Sequence, residues 1–331
     1  MKALILSDGI PGHFNQSKGV LTLLKESVDI EDEIIQLRPR VKFLRSPIKL
    51  IARALCKNLS ETKAKIIISL YKAIKISDFD LIIAAGGNTA AYSAAICFIN
   101  KIPNIQLGSP RGIHSSNFTA HLTIDRYFDV PNNIVLDITP NLYSPSLCKG
   151  AANKTTADNE CLLLIGGKGI GYSYDQSEWE ALISNIINFT ESYNCKITIV
   201  TSRRTDPKVE GLLKTELKNS YSDDSIWFHS GGANANLAQL FGNAAKIFVT
   251  EDSAMMISES ISSGKKVTTL FPKSINTPMR YSNHIQKYRD LKLIDSQSIN
   301  ESLSMNVGED NIEKINLIRS NLSSAILERI N

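Results

Sequence analysis

Short runs of apolar residues recur along the chain, and each ends in a turn, most of them rich in Gly, Ser or Thr. A stretch with helical spacing of its apolar positions follows most of these turns. Strand, turn and helix in alternation predict parallel α/β units. The predicted strands are Ala3–Leu6, Leu81–Ala85, Asn104–Leu107, Leu162–Ile165, Ile197–Val200, Lys246–Val249 and Val267–Phe271.

A polar segment around Cys148–Glu160 interrupts this pattern and precedes a new strand. We therefore predict a GT-B type α/β fold, in which two Rossmann-like domains, residues 1–150 and 158–308, face each other across a cleft. Residues 309–331 have helical spacing and are expected to pack back on the first domain. Parallel sheets bind ligands at the carboxyl ends of their strands, so the turns after the strands are the candidate sites.

Composition narrows the class of protein. A chain of 331 residues suits two domains, and 43% hydrophobic with 21% charged residues is ordinary for a globular protein. The net charge of +4 is too small to indicate nucleic-acid binding. Five scattered cysteines without a CxxC pair favour a reducing, cytoplasmic setting without a zinc site. The start of the chain lacks signal-peptide features, and no apolar run is long enough to span a bilayer.

The segment Lys246–Pro272 is the first candidate site. Its strand ends at Thr250, Ser253 or Asp252 caps the next helix, and Gly264 ends that helix. Free N–H groups at a helix start suit a diphosphate. Glu259, less than two turns further on, is placed to accept hydrogen bonds from ribose hydroxyls. An ordinary βα unit with a solvated Glu259 is the alternative.

This segment resembles the donor-binding core of the membrane-associated N-acetylglucosaminyltransferase of peptidoglycan synthesis. The matching residues are Ser253-Ala254-Met255, Ser258-Glu259, Gly264 and Phe271-Pro272. The resemblance implies that Ser253, Ala254 and Met255 cradle phosphate, that Glu259 holds the ribose, and that the stretch around His229 lines the base. Glu251-Asp252 departs from the pattern, because acids beside a diphosphate are unfavourable unless they point away.

Two further turns of the second domain are candidates for phosphate binding. Gly166, Gly167 and Lys168 follow its first strand, where glycines allow close backbone approach and Lys168 offers charge. Ser202, Arg203 and Arg204 end the next strand, and Arg forks suit phosphate oxygens. We favour Arg203 over Arg204 as the phosphate contact. A plain tight turn is the alternative for the glycines.

The loop from Ser7 to Ser17 is the candidate acceptor site of the first domain. Gly12-His13 matches the end of a glycine-rich loop in the peptidoglycan enzyme. An inverting transferase needs a base near the acceptor hydroxyl, and imidazole has a suitable pKa. We expect His13 to be that base and Asp8 to be the second choice. The alternative is that His13 only braces the loop.

The pattern DGxPGHxNQS at Asp8–Ser17 also resembles the bacterial relatives of the plant elongated-mitochondria fission protein. Ser202–Thr205 and Glu251–Ser253 fit the same family. The plant protein is known as a recruiter of a membrane-fission machine, whereas the bacterial relatives look like GT-B enzymes. From these motifs we expect the acceptor contacts to be Gly12, Asn15, Asn88, Thr89 and Arg111.

A basic, apolar stretch runs from Arg38 to Lys75, with a single acid, Glu61. Helical spacing from Ser46 to Asn58 would place Lys49, Arg53 and Lys57 on one stripe. Such a helix can rest on an anionic membrane, with about 1 kcal/mol gained per basic residue. The alternative is a solvated basic face over a normal core stripe.

Two details concern metal and sugar. Asp78-Phe79-Asp80 spells the DxD signature of metal-dependent transferases but precedes its strand, at the wrong edge of the sheet, so we expect metal-independent chemistry without a cofactor. Met279-Arg280 stands where the peptidoglycan enzyme has paired glutamines that hold sugar hydroxyls. Arg280 would suit a sugar with a carboxylate, such as a uronic or ulosonic acid.

The sequence thus predicts an inverting, metal-independent glycosyltransferase. It would move a sugar from a nucleotide-sugar to a lipid-linked cell-envelope acceptor, at the inner face of the cytoplasmic membrane. A nucleotide-sugar epimerase and a non-catalytic recruiting protein at the membrane are the two alternatives.

Overall fold

Two parallel β-sheets organise the part of the chain that the computed structural model describes, which is residues 1–153, 160–217, 226–232, 235–305 and 310–330. Each sheet has six strands and belongs to a separate compact unit. Unit 1 consists of Met1–Leu142 with Ile318–Asn331, and unit 2 of Tyr143–Leu317. The predicted α/β class and the two Rossmann-like domains are confirmed.

Unit 1 contains a sheet in the order β2-β1-β3-β4-β5-β6, with every pair parallel. Its central strand β3 is buried along its whole length, because helices cover both faces of the sheet. The order reverses between β1 and β3, which makes their carboxyl ends the switch point where ligands bind in such sheets. The elements are β1 (Lys2–Ser7), α1 (Pro11–Lys25), β2 (Glu31–Gln36), α2 (Arg45–Cys56), α3 (Glu61–Ser69), β3 (Leu81–Ala85), α4 (Ala90–Asn100), β4 (Asn104–Leu107), β5 (Ala120–Thr123) and β6 (Asn133–Val135).

Unit 2 repeats this plan with the order β10-β9-β7-β11-β12-β14. Its switch point lies between β7 and β11, and a short antiparallel pair, β8 with β13, stands apart from the main sheet. The elements are α5 (Pro145–Ala151), β7 (Glu160–Ile165), β8 (Tyr172–Ser173), α6 (Gln176–Tyr193), β9 (Lys196–Thr201), α7 (Pro207–Glu216), β10 (Ile226–Trp227), α8 (Leu237–Asn243), β11 (Lys246–Thr250), α9 (Ala254–Ser262), β12 (Lys266–Phe271), β13 (Ser274–Ile275), α10 (Met279–Asp290), β14 (Asp295–Ser298) and α11 (Ile312–Ile330).

The boundary between the units lies earlier than the predicted break after residue 150, because α5 packs within unit 2. The ring of Tyr143 meets Phe241 edge-on at 5.0 Å. A Cβ at Gly242 would lie 2.1 Å from the carbonyl oxygen of Cys148, so α5 and α8 touch at backbone distance. The polar segment that predicted the boundary includes residues 154–159, which lie outside the described residues. The boundary between the two compact units instead lies before α5.

Helix α11 confirms the predicted packing of the C-terminal segment on the first domain. Ile326 is fully buried in the apolar cluster around Ile5 and Ile83. Leu322 and Leu327 pack against the same cluster. The last three turns of α11 therefore complete the core of unit 1, although the helix begins in unit 2.

Helix α2 lies within the predicted basic stretch Arg38–Lys75 and is strongly amphipathic. Ile48, Ala52 and Cys56 face the core of unit 1. On its outer side Leu50 is 67% exposed, and Phe43, in the short turn before the helix, is 86% exposed. No described helix combines the length and apolar content needed to cross a membrane.

Candidate functional site

Three polar side chains meet at the switch point of unit 1. The carboxylate of Asp8 follows β1, and its Oδ2 lies 2.9 Å from Nδ1 of His13. Asn88, in the turn after β3, donates its amide to the same oxygen at 2.7 Å. The amide of Ile10 donates to Oδ1 at 3.1 Å. The two neighbouring strands thus bring residues that are 80 positions apart into one hydrogen-bonded group.

Asp8 is ionised in this arrangement. Its burial alone would raise the carboxyl pKa, but the hydrogen bonds from Asn88, His13 and Ile10 outweigh it, so the pKa is lowered from its ordinary value. An ionised carboxylate only accepts hydrogen bonds, and Nδ1 of His13 must therefore carry the proton. In this tautomer Nε2 is the ring nitrogen that can accept a proton. Asp8 therefore fixes the orientation of the His13 ring through Nδ1.

Glycine at position 86 is a condition for this geometry. Gly86 has a φ of +80°, and a Cβ there would lie 2.2 Å from Nδ1 of the His13 ring. Helix α1 begins at Pro11, which places His13 in its first turn beside β3. Gly12 and Asn15 lie half-buried in the same turn, in the position that acceptor contacts would need.

Among the predicted acceptor contacts, Thr89 is the exception. Its side chain is fully buried, and its hydroxyl donates to the carbonyls of Ala85 and Gly86, both at 3.0 Å. Thr89 therefore shapes the turn and does not face a ligand, because every polar atom of its side chain is already used inside the fold. Arg111, also predicted as an acceptor contact, is exposed and has a φ of +51°.

Gly166 of unit 2 is held by the ends of both neighbouring strands. Its amide donates to the hydroxyl of Thr250 at 2.7 Å, and its carbonyl accepts from Ser202 at 2.8 Å. Thr205 donates to the same carbonyl at 2.7 Å. Thr250 and Ser202, predicted as donor contacts, instead fix the turn. Gly167 needs its φ of +134°, and a Cβ there would lie 2.1 Å from the carbonyl oxygen of Arg204.

An ion pair lies under this turn. Arg204 Nη2 donates to Oδ2 of the fully buried Asp252 at 3.0 Å. Burial raises the pKa of Asp252, which Arg204 partly offsets. Arg204, predicted as a donor contact, is committed to this pair. Lys168 and Arg203 are exposed, which agrees with the preference for Arg203 over Arg204.

The other acid after β11, Glu251, is the centre of a network that the sequence did not reveal. Its carboxylate accepts from Tyr172 at 2.9 Å, Thr269 at 2.7 Å and Arg289 at 2.8 Å. The side chain borders a separate pocket of about 760 Å³ on the α10 side. Both acids that departed from the expected pattern are thus paired with arginines inside unit 2. The sequence showed that both acids follow β11, but it did not show these arginine partners.

The start of α9 has no side-chain cap. Ser253 is the N-cap, but its side chain accepts no hydrogen bond from the helix, and no acid occupies the first turn. The backbone amide of Ile257 donates to the Ser253 carbonyl at 3.0 Å, which closes the first turn of the helix. This end of the helix carries partial positive charge.

Glu259 lies on α9 and is half-buried. Within the described residues its carboxylate has no hydrogen-bond or ion-pair partner, and Tyr143 is the ionisable group near it. Burial raises its pKa from 4.5 to about 7. A carboxylate without a hydrogen-bond or ion-pair partner lowers the stability of the folded protein. Perturbed pKa values of this kind are concentrated at functional sites. Glu259 is thus neither fully solvated nor fully enclosed.

The other predicted donor residues are placed as follows. Gly167 and Lys168 border a cavity of about 250 Å³ whose floor includes Trp179 and Val209. His229 is exposed, and its amide donates to Thr201 at 2.8 Å. Arg280 is exposed in the first turn of α10. The metal-like motif lies at the opposite edge of unit 1, where Asp80 accepts from the amide of Lys2.

Residues 11–307 match the family model described as mitochondrial fission ELM1. The chain belongs to this family. An uncharacterized protein of Rickettsia prowazekii, RP120, is 27% identical over 146 residues. That match covers 43% of this chain and only 39% of the relative.

Solved structures share the fold at low identity. The UDP-GlcNAc 2-epimerase of Methanocaldococcus jannaschii is 12% identical, with 98% of this chain and 100% of that one covered and a TM-score of 0.51. MurG of Acinetobacter baumannii is 12% identical, with 99% of this chain and 93% of that one covered and a TM-score of 0.48. The likeness to the epimerase establishes the fold alone, which is the GT-B arrangement of nucleotide-sugar enzymes.

Proposed function

We propose that this chain is an inverting, metal-independent glycosyltransferase. Unit 2 would bind the nucleotide-sugar and unit 1 a lipid-linked cell-envelope acceptor. The observation that carries the proposal is the His13 ring, which Asp8 and Asn88 hold with its Nε2 available as a base. A fold that only recruits partners has no need of an oriented imidazole beside an ionised carboxylate.

The reaction is a single displacement. Nε2 of His13 removes the proton from the acceptor hydroxyl as that oxygen attacks the anomeric carbon of the donor. The bond from the anomeric carbon to the phosphate oxygen breaks, and the nucleoside diphosphate leaves with the electron pair. Asp8 stabilises the imidazolium that forms. The configuration at the anomeric carbon inverts because attack and departure occur on opposite faces.

The donor would bind at the carboxyl edge of the unit 2 sheet. The uncapped start of α9 and the exposed Lys168 and Arg203 offer the charge that a leaving diphosphate needs. Glu259 would accept the two ribose hydroxyl hydrogens, an interaction that favours its ionised form. Asp252 and Glu251 do not oppose the diphosphate strongly, because each is neutralised by its own arginine.

The stretch Arg38–Lys75 would hold the protein on the cytoplasmic membrane. Phe43, Leu50 and Ile51 are 86%, 67% and 49% exposed, so an apolar face is presented to the surroundings. Large exposed apolar groups beside basic residues are typical of helices that lie in a membrane interface. A lipid-linked acceptor would be met at that surface.

The test is donor turnover across a panel of nucleotide-sugars, with membrane lipids supplied as acceptor. We expect one nucleoside diphosphate to be released as the donor is consumed. His13→Gln should lower the rate of turnover about 10²–10⁴-fold. His114→Gln, an exposed histidine of the same unit, is the matched control and should turn over normally. EDTA should have no effect. A product that is an epimerised donor, or equal rates for both variants, would contradict the proposal.

A further inference from the structure

The stripe of basic residues on α2 does not point where its sequence suggested. Arg53 reaches back to the switch point of unit 1, where its Nη2 donates to the carbonyl of Gly87 at 3.0 Å. Lys49, one turn earlier, borders a small crevice with Asp8 and Asn88. The stripe therefore lies between the buried face of α2 and its exposed apolar face, on the side of the candidate acceptor site.

Arg111 approaches the same glycine from a different loop. A Cβ at Gly87 would lie 2.7 Å from Cγ of Arg111 and 3.0 Å from Nη2 of Arg53, so the two side chains converge on it. Lys57 extends along the neighbouring Gly112, with Cε 3.7 Å from the position of a Cβ there. Arg111 has a left-handed backbone, which is unfavourable for a residue other than glycine, and such strain clusters at functional sites.

These cations lack a counter-charge. In the part of the chain that the structure describes, no carboxylate pairs with Arg53, Lys57 or Arg111, and Nε of Arg53 is buried without a hydrogen-bond partner. The acid at the switch point, Asp8, is occupied by Asn88 and His13. Helix α4 begins beside the same turn without an acid in its first turn. Positive charge is thus concentrated around one glycine and remains unneutralised.

We propose that Arg53, Lys57 and Arg111 form an anion subsite that takes a phosphate or diphosphate group. Arg forks and a helix start are the donors that match phosphate oxygens. Gly86 touches the His13 ring and Gly87 touches the two arginines, and their Cα atoms are about 3.8 Å apart. The acceptor would then carry a phosphate group on the same side of unit 1 as its reacting hydroxyl. That last step rests on the proposed transferase function.

The assay is calorimetric titration of the full chain with inorganic pyrophosphate, beside binding to phosphatidylcholine vesicles with and without phosphatidic acid. We expect Arg53→Gln and Arg111→Gln each to weaken binding about tenfold or more. Lys65→Gln removes the same charge from an exposed site on α3 and should bind as the unaltered chain does. Arg111 is exposed, so its variant separates binding from any loss of folding in Arg53→Gln.

The two arms distinguish the sources of phosphate. If the arginine variants lose affinity for pyrophosphate, the site is assigned to a free or glycosyl phosphate. If they lose affinity only for vesicles with phosphatidic acid, the site is assigned to a lipid headgroup. Equal binding by all variants in both arms overturns the subsite. Nucleotide binding by the unaltered chain is measured in parallel. If the unaltered chain binds no nucleotide while Arg111→Gln still weakens pyrophosphate binding, the transferase proposal fails and the subsite stands.

Discussion

The carboxyl group of Glu259 offers a prediction in which a residue proposed to bind the nucleotide destabilises the fold. Glu259→Gln keeps the shape of the side chain and removes the ability to ionise. Burial raises the pKa of Glu259 from 4.5 to about 7, and no described residue compensates the charge. We expect the variant to bind nucleotide less tightly and yet to unfold less readily at neutral to alkaline pH.

The magnitude follows from proton linkage. The folded chain holds the proton on Glu259 up to about pH 7, whereas the unfolded chain releases it near 4.5. The contribution to stability is therefore fully present below the unfolded pKa and is lost as the pH rises through the folded pKa. A shift of this size is worth on the order of 3 kcal/mol. Glu259→Gln should abolish that part of the pH dependence.

Urea unfolding followed by tryptophan fluorescence measures this in the correct unit, because both tryptophans, Trp179 and Trp227, belong to unit 2. From about pH 5 to about pH 8 the unaltered chain should lose roughly 3 kcal/mol more than Glu259→Gln does. Glu313→Gln, an exposed acid of the same unit, should follow the unaltered chain. Parallel pH profiles for the Glu259 variant and the unaltered chain would refute the argument.

Three other substitutions test the two switch points. Asp8→Asn should lower turnover at least about a hundredfold with little change in nucleotide affinity, because it removes the acceptor that fixes the His13 tautomer. Steady-state kinetics measure this, and a change in KM alone, with kcat unaltered, would contradict the prediction. Gly86→Ala should destabilise unit 1 by about 1–2 kcal/mol in thermal unfolding, whereas Gly12→Ala, with open space around its Cβ position, should not. Arg204→Leu should destabilise unit 2 by about 3 kcal/mol, and adding Asp252→Asn should restore part of it; no recovery in the double variant would mean that the pair is not coupled.

Much of the fold was accessible from the sequence because parallel strands are buried on both faces. The predicted strands Leu81–Ala85 and Asn104–Leu107 agree with the structure at both ends. Strand β2 was missed, since Glu31–Gln36 is an exposed edge strand with a polar sequence. The predicted strand positions located both switch points, because the turns that follow central strands contain the glycines.

The site was accessible only in part, because sequence gives the identity of a residue but not the direction of its side chain. His13 and Glu259 were found from motifs. The roles of Arg204 and Thr250 were not, because their partners Asp252 and Gly166 lie far away in the sequence. The periodicity of α2 correctly grouped Lys49, Arg53 and Lys57 but left open which neighbour the stripe contacts.

The proposal that unit 2 holds a nucleotide is tested most directly by calorimetry with each common nucleoside diphosphate. The account predicts that one of them binds at a single site per chain. It also predicts that Glu259→Gln weakens that binding by about tenfold or more, since the ribose loses a charged acceptor. If properly folded protein takes up none of the nucleotides, or if the Glu259 variant binds as tightly as the unaltered chain, the account is contradicted.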